Sequence, residues 1–250
     1  MIERLAANRL ALAGMFALAA LIGSGLLFAA QRFVPGAAGG DRAQIEAIVH
    51  DYVLAHPELI PQAIQKLQDQ QTGAMVAANR SAIVDPVGNA WAGNPHGDVT
   101  LVEYFDYDCG YCRASMPMLA QLVKDDPKLR IVYREFPVLT PESADAARWS
   151  LAAAKAGKFA AFHDALFAGG PVSEATMVAA AKAAGLDPAK LRTAAADPAI
   201  ADEIDRNLSI ARQLGMTGTP SWVIGDRVIS GALPIDRMKQ AIADARAAQG

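Results

Sequence analysis

The chain has 250 residues, of which 52% are hydrophobic and 20% charged, and its formal net charge is -3. This composition excludes a wholly disordered chain, because it supplies enough apolar surface to bury a core. The near-neutral charge lacks the polybasic surface that binds nucleic acid, so no nucleic acid partner is expected.

The N-terminal residues 1–31 contain an uncharged apolar segment, Leu10 to Ala30. Its length matches the roughly 20 residues that a membrane-spanning helix needs. A secretory signal has a shorter apolar region, about 7–15 residues, and small residues before its cleavage site. We therefore predict an uncleaved inner-membrane anchor, with a cleaved signal as the alternative. Arg4 and Arg9 precede the segment, which places residues 1–9 in the cytoplasm and the rest outside it, in the periplasm of a Gram-negative cell.

A flexible linker is predicted at residues 32–41, where Pro35 begins a glycine- and alanine-rich run. Residues 42–85 then show apolar side chains at helical spacing, beginning with Ile45, Ile48 and Val49. We predict a helical stalk here, ended by the turn at Asp85. Two interpretations stay open: the helices pack on their own subunit, or residues 42–80 form a homo-oligomer with other copies.

Residues 86–250 are predicted to form one α/β domain. A β-rich run, Thr100 to Phe105, leads into a helix from about residue 109, and a second strand spans Arg130 to Phe136. An alanine-rich helical region at about 140–213 separates these strands from a hairpin at 221–229 and a last helix that begins at Pro234. This order indicates an α/β fold with an inserted helical region.

Cys109 and Cys112 are the only cysteines in the chain, and Gly110 and Tyr111 separate them. The strand–turn–helix pattern places Cys109 at a helix N-terminus, where free N–H groups stabilise a thiolate. Cys112 follows one turn later, where it can resolve a mixed disulfide. A structural zinc site needs four ligands, and the histidines are scattered, so neither a bound metal nor another cofactor is predicted. Two thiolates alone could still bind Cu(I).

Two stretches of the sequence carry a resemblance to a known family: TLVEYFDYDCGYCRASMP, which begins at Thr100, and TGTPS, which begins at Thr217. Together they resemble the exported DsbA-like thiol–disulfide oxidoreductases, which have a thioredoxin fold with a helical insertion. The resemblance implies that Cys109 attacks a client disulfide and that Cys112 resolves the mixed disulfide. It further implies that Pro117 kinks the active-site helix.

The same resemblance implies further site residues. Pro220 matches the cis-proline of the family, and Gly110, Tyr111, Thr219 and Pro220 would bind the client. Glu103 matches an acidic residue beneath the active site. If it is buried, its raised pKa would let it take a proton from Cys112; the alternative is a solvent-facing charge on the strand.

The direction of exchange is predicted from the residues around the cysteines. Gly110 and Tyr111 provide no imidazolium, and Asp106 and Asp108 would raise the pKa of Cys109 if they lie near it, whereas Arg113 would lower it. The sequence therefore predicts a less oxidising site than that of a strong oxidase, and Cys-Gly-Tyr-Cys with threonine before the cis-proline resembles isomerase-type sites.

We accordingly predict an extracytoplasmic disulfide isomerase or reductase. Its clients would be exported proteins with cysteines, and a membrane redox partner would supply its electrons. A disulfide-forming oxidase that uses the same residues, and a Cu(I)-binding protein, are the alternatives.

Overall fold

The structure, a computed structural model, describes residues 9–33 and 40–248. The chain divides into two compact units, with the boundary between Gln65 and Lys66. This boundary lies inside a continuous helix, so the predicted stalk at residues 42–85 contributes residues to both units.

The first unit contains α1 (Arg9–Phe33), α2 (Gly40–Ala55) and the beginning of α3 (Leu59–Ala78). Helix α1 covers the predicted anchor segment, but no helix in the described residues is long and apolar enough to cross a membrane. Of the predicted linker at 32–41, residues 34–39 lie outside the described part of the chain. Pro57 lies between α2 and α3, and Pro61 lies in the first turn of α3, a position that tolerates proline.

The second unit is built on a sheet that has five strands in the described part of the chain: β1 (Trp91–Gly93), β2 (Val99–Phe105), β3 (Leu129–Glu135), β4 (Ser221–Ile224) and β5 (Arg227–Ser230). The strand order is β1-β3-β2-β4-β5. Strands β2 and β3 are parallel, and the remaining neighbours are antiparallel. Strand β1 was not predicted from the sequence, because three residues are too few to show an alternating pattern.

The helices of the second unit follow the predicted order. They are α4 (Arg80–Val84), α5 (Gly110–Asp125), α6 (Pro141–Lys155), α7 (Phe159–Ala168), α8 (Glu174–Ala183), α9 (Pro188–Ala195), α10 (Pro198–Gln213) and α11 (Ile235–Ala247). Helix α5 connects the two parallel strands, and α6 to α10 lie between β3 and β4. The predicted α/β fold with a helical insertion is therefore confirmed.

Side-chain caps explain where the insertion helices begin. Thr140 accepts from the backbone of Ser143 at the start of α6, and Ser173 does the same for Thr176 at the start of α8. Asp187 and Asp197 cap α9 and α10, each followed by a proline at the first helical position. These residues satisfy N–H groups that have no partner inside the helix.

The two faces of the sheet bury different sets of residues, because successive strand side chains point to opposite faces. Leu101 and Phe105 of β2 pack in one cluster with α5 and the insertion helices. Val102 and Tyr104 pack on the other face with Val76 of α3, in a cluster that also contains Ile83 of α4. Glu103 lies between Val102 and Tyr104 in sequence and therefore shares the α5 face with Leu101 and Phe105.

A buried arginine fixes the end of the predicted stalk to the sheet. Arg134 of β3 is 2% exposed, and it donates to the Ile83 carbonyl oxygen at 3.0 Å and to Glu203 Oε1 at 2.8 Å. It also donates to the carbonyl oxygen of Asp85, in the turn after α4. Because a buried guanidinium needs several acceptors, this segment is held firmly in the second unit.

Candidate active site

Cys109 is the N-cap residue of α5, directly after the strand β2 and its short loop. Its Sγ accepts a hydrogen bond from the Cys112 backbone N–H at 3.3 Å. Both cysteines are free and buried, Cys109 at 4% and Cys112 at 1% exposure. The predicted position of Cys109 at a helix N-terminus is therefore confirmed, with Cys112 one turn behind it.

The two thiols have very different acidities. A hydrogen bond with the Cys112 side chain, together with a smaller contribution from Thr219, lowers the pKa of Cys109 to about 6, although burial opposes this effect. Burial first, and then the hydrogen bond with Cys109, raise the pKa of Cys112. Cys109 is therefore a thiolate at neutral pH and Cys112 a thiol, which is the arrangement expected of an attacking and a resolving cysteine.

The residues around Pro220 face Cys109 across the site. The Cys109 thiol lies 3.3 Å from the Thr219 carbonyl oxygen, and the peptide bond between Thr219 and Pro220 is cis, as predicted. Gly110 and Tyr111 form the first turn of α5 beside them. The structure thus brings the four predicted client-binding residues to the neighbourhood of one sulfur atom.

Glu103 is buried, which decides between the two interpretations of the sequence. It lies on β2 with Tyr133 and Trp222 as its partners on the neighbouring strands, and it is 1% exposed. Burial, and secondly the charge of Cys109, raise the pKa of Glu103 to about 8. Within the described residues its Oε1 atom has no hydrogen-bond partner. Its charge in turn raises the pKa of Cys112, so the two groups interact electrostatically.

The Asp106 carboxylate, three residues before Cys109, accepts several hydrogen bonds. The Asp106 carboxylate accepts from Asp108 N at 2.8 Å, Val138 N at 2.9 Å, Leu139 N at 3.0 Å and Ser143 Oγ at 2.7 Å. These bonds direct the carboxylate towards the start of the insertion. The hydrogen bond with the Cys112 side chain makes the largest contribution to the pKa of Cys109, which is lowered, as predicted for a cysteine at a helix N-terminus.

A buried polar cluster behind the site was not anticipated. The Tyr107 hydroxyl lies 2.8 Å from Ser150 Oγ of α6 and 3.0 Å from His163 Nδ1 of α7. Burial lowers the pKa of His163 to about 3, so the ring is neutral. The sequence showed only a histidine among phenylalanines, because partners 43 and 56 residues away leave no local pattern.

The surface around Cys109 is open and partly apolar. Tyr111 is 69% exposed, Val138 44% and Leu139 50%. A Cβ atom placed on Gly110 or Gly218 would meet no other atom within 4 Å. A polypeptide could therefore approach the sulfur from this side. In the part of the chain that is described, no group of three or more His, Cys, Asp or Glu side chains is placed to hold a metal ion.

Comparisons with known proteins agree with this geometry. Residues 100–243 match the DSBA-like thioredoxin domain, and residues 41–74 match the copper resistance protein ScsC N-terminal domain. A thioredoxin-like oxidoreductase from Silicibacter pomeroyi is 39% identical, with a TM-score of 0.65 over 68% of this chain and 98% of that one. A linker-deletion mutant of ScsC from Proteus mirabilis is 25% identical, with a TM-score of 0.66 over 85% and 99% of the two chains.

The curated relatives are longer proteins. The Na(+)/H(+) antiporter NhaA 3 of Salinispora tropica is 30% identical over 165 residues, which are 65% of this chain and 25% of the antiporter. This chain thus spans about a quarter of the length of that relative. The match to the family domain covers more than half of the chain and includes both cysteines, Glu103 and Pro220. The chain therefore belongs to the family of DSBA-like thioredoxin domains.

Proposed function

We propose that this protein is an extracytoplasmic thiol–disulfide isomerase or reductase that acts on exported proteins through Cys109 and Cys112. The observation that carries the proposal is the pairing of one thiol whose pKa is lowered with one whose pKa is raised. Cys109 has a pKa of about 6, lies beside Thr219 and Pro220 at 4% exposure, and has Cys112 directly behind it.

The proposed reaction begins when the Cys109 thiolate attacks one sulfur of a client disulfide. A bond forms between Cys109 and that sulfur, and the second client sulfur leaves as a thiolate. That thiolate can attack another disulfide of the client, which rearranges it and finally releases Cys109. Alternatively, Cys112 loses its proton and attacks Cys109, which releases a reduced client and leaves the enzyme oxidised. A membrane redox partner must then return two electrons.

Glu103 is the proposed acceptor of the Cys112 proton. While Cys109 is a thiolate, its charge helps to keep the Glu103 carboxyl protonated. Formation of the mixed disulfide removes that charge, so the pKa of Glu103 falls at the moment when a base is needed beside Cys112. The general base is thereby available only after the client is bound.

The acidity of Cys109 supports an isomerase or reductase over a strong oxidase. Thiols of this motif range from about 3.5 in a strong oxidant to about 7 in thioredoxin, a reductant. The pKa of about 6 for Cys109 lies nearer to the second value. The less stabilised thiolate agrees with the absence of an imidazolium at Gly110 and Tyr111.

The location and assembly form part of the proposal. We propose an inner-membrane tether with the following domains in the periplasm, and the support for it is the uncharged 21-residue sequence segment from Leu10 to Ala30. The ScsC N-terminal match covers residues 41–74, and large apolar side chains in the same region are exposed in the single chain. They are Ile45, Ile48, Val49, Tyr52, Leu54, Ile60, Ile64 and Leu67. Association of copies through residues 42–80 would bury these side chains and present several active sites to one client.

A scrambled-disulfide refolding assay tests the function. The Cys109→Ala variant should lose all activity, whereas Cys112→Ala should still attack the client and accumulate a mixed disulfide that non-reducing electrophoresis detects. Retained activity of Cys109→Ala would refute the assignment.

The direction of thiol–disulfide exchange is tested by acid quenching of cells and alkylation of free thiols. A mostly reduced pair supports an isomerase or reductase, and a mostly oxidised pair indicates an oxidase.

Copper binding is the second candidate, because the N-terminal match is to a copper resistance protein. Cu(I) accepts two thiolate ligands, and Cys109 and Cys112 could supply them without a third group. Metal analysis of protein purified in reducing buffer tests this alternative. Stoichiometric copper that Cys109→Ser loses would support it, and metal-free protein would exclude it.

A further inference from the structure

The loop between α7 and α8, residues 169–173, is held by side chains on both sides of the cysteine pair. Arg113, four residues after Cys109, donates from Nε to the Phe167 carbonyl oxygen at 2.9 Å and from Nη2 to the Gly170 carbonyl oxygen at 2.7 Å. These acceptors lie at and just beyond the C-terminal end of α7, where carbonyl groups lack helical partners and carry partial negative charge.

Asp108, the residue before Cys109, binds the other end of the same loop. Its Oδ1 accepts from the Val172 backbone N–H at 2.8 Å, and its Oδ2 accepts from Thr140 Oγ1 at 2.6 Å. Val172 precedes Ser173, the N-cap of α8, so the carboxylate lies at the positive end of that helix. Each charge thus faces the helix end of opposite sign.

The loop held in this way is accessible to a client. Gly169 and Pro171 are exposed, whereas Val172 is buried. Gly170 has φ +90°, a conformation that favours glycine, and a Cβ atom placed there would meet nothing within 4 Å. The loop therefore offers backbone and open space beside the residues that flank Cys109.

We propose that Asp108 and Arg113 are positioning residues that hold the 169–173 loop as a client-binding surface next to Cys109, and that they determine the reaction with proteins and not the reactivity of Cys109 itself. This inference rests on the proposed action on protein disulfides. A fixed loop binds with less loss of conformational entropy than a mobile one, so releasing it should weaken client binding.

The hydrogen bonds explain why these two charges are assigned to the loop. Both Asp108 oxygens and two Arg113 nitrogens are engaged by groups of the insertion. Charge-assisted hydrogen bonds of this kind are strong and directional, and therefore suited to fixing a loop. If the charges instead tuned the thiolate, their removal would change reactions with small and large disulfides alike.

Full-length Arg113→Gln, Asp108→Ala and Asp108→Asn variants test the proposal. Two reaction rates of the reduced enzyme are compared. One is its reaction with a small aromatic disulfide, and the other is its reaction with scrambled ribonuclease. Arg113→Gln and Asp108→Ala should lower kcat/KM for the scrambled protein about tenfold, as expected for a lost hydrogen bond to a charged group. Their rates with the small disulfide should not change. In Asp108→Asn the amide oxygen can still accept from the Val172 backbone N–H and the amide nitrogen can donate to Thr140 Oγ1, so this variant should retain most activity.

The matched controls are Arg148→Ala and Asp145→Asn, which break an exposed ion pair on α6 that does not contact the loop. Equal losses with both disulfides in Arg113→Gln would overturn the proposal, because the charge would then act on Cys109. Hydrogen exchange at the Val172 amide separates the remaining outcomes. The exchange rate of this amide should rise in Asp108→Ala. An unchanged rate refutes the claim that Asp108 holds the 169–173 loop. Accelerated exchange with an unchanged client rate refutes the client surface, whereas inactivity of the wild type on scrambled ribonuclease refutes the proposed function.

Discussion

Replacing Glu103 by glutamine should make the stability of the protein less dependent on pH. The carboxyl has a folded-state pKa of about 8 against a reference value of 4.5. In the unfolded chain it therefore ionises well below neutral pH, whereas in the folded protein it stays protonated. Because ionisation favours the unfolded state, the wild type loses stability as the pH rises from 4.5 towards 8 and reaches its full loss above 8.

The size of this effect follows from the difference between the two pKa values. A difference of about 3.5 units, at about 1.4 kcal/mol per unit, corresponds to roughly 5 kcal/mol above pH 8. At pH 7 only the interval between the unfolded-state pKa and pH 7, about 2.5 pH units, contributes. The loss of folding free energy at that pH is therefore about 3 kcal/mol. Glu103→Gln removes this titration. The variant should match the wild type near pH 4.5 and exceed it by about 3 kcal/mol at pH 7.

Urea unfolding of the reduced proteins, followed by tryptophan fluorescence, measures the difference at several pH values. The signal includes the buried Trp222, which pairs with Glu103 across β2 and β4. Glu174→Gln provides the matched control, because it makes the same chemical change at an exposed position of α8. A stability difference between Glu103→Gln and the wild type that stays constant from pH 5 to pH 8 would refute the reasoning, since the carboxyl would then be solvated in the fold.

Three further predictions concern the same unit. As the pH is lowered, the thiolate absorbance of the reduced enzyme near 240 nm should disappear with a midpoint near pH 6, the pKa of Cys109. Cys109→Ser should lack this transition. Arg134→Ala should lower the free energy of unfolding by about 3–5 kcal/mol, since it removes the partner of Glu203 Oε1 and leaves the Ile83 and Asp85 carbonyl oxygens without their donor. Arg148→Ala, at an exposed ion pair, should cost less than about 1 kcal/mol, and equal losses would contradict this account. Tyr111→Ala should leave the melting temperature unchanged but slow reaction with scrambled protein, and an unchanged rate would remove Tyr111 from the client surface.

The order of secondary structure could be predicted because its signals are local. Glycine, proline and capping residues mark most helix boundaries of the insertion, and β2 shows an alternating pattern that leads directly to Cys109. The cysteine pair and Pro220 were found for the same reason, since each belongs to a short stretch of characteristic residues. The unit boundary at residue 65 could not be found, because it lies inside the continuous helix α3 and no residue marks it.

The directions of charged side chains could not be predicted from their neighbours in sequence. Asp106 and Asp108 lie within three residues of Cys109, which suggested repulsion of the thiolate. Their carboxylates instead bind groups 32 to 64 residues further along the chain. Both aspartates are close to Cys109 in sequence. The effect of each carboxylate on the pKa of Cys109 depends, however, on where its oxygens point and on how many hydrogen bonds they accept.

Glu103 shows what the structure adds to a residue that the sequence had already selected. Its position on β2 was compatible with a solvated charge, and only the packing of α5 over that face makes it a buried acid beside two thiols. One negative charge is then favoured at this site at a time, on Cys109 before attack and on Glu103 after it. We infer that the client itself moves this charge, because the mixed disulfide removes it from Cys109 and so prepares the base that deprotonates Cys112. Glu103→Gln should therefore slow resolution of a trapped mixed disulfide by about 100-fold while leaving the attack of Cys109 intact, as measured by rapid acid quenching. Equal slowing of both steps would show that Glu103 only shapes the site.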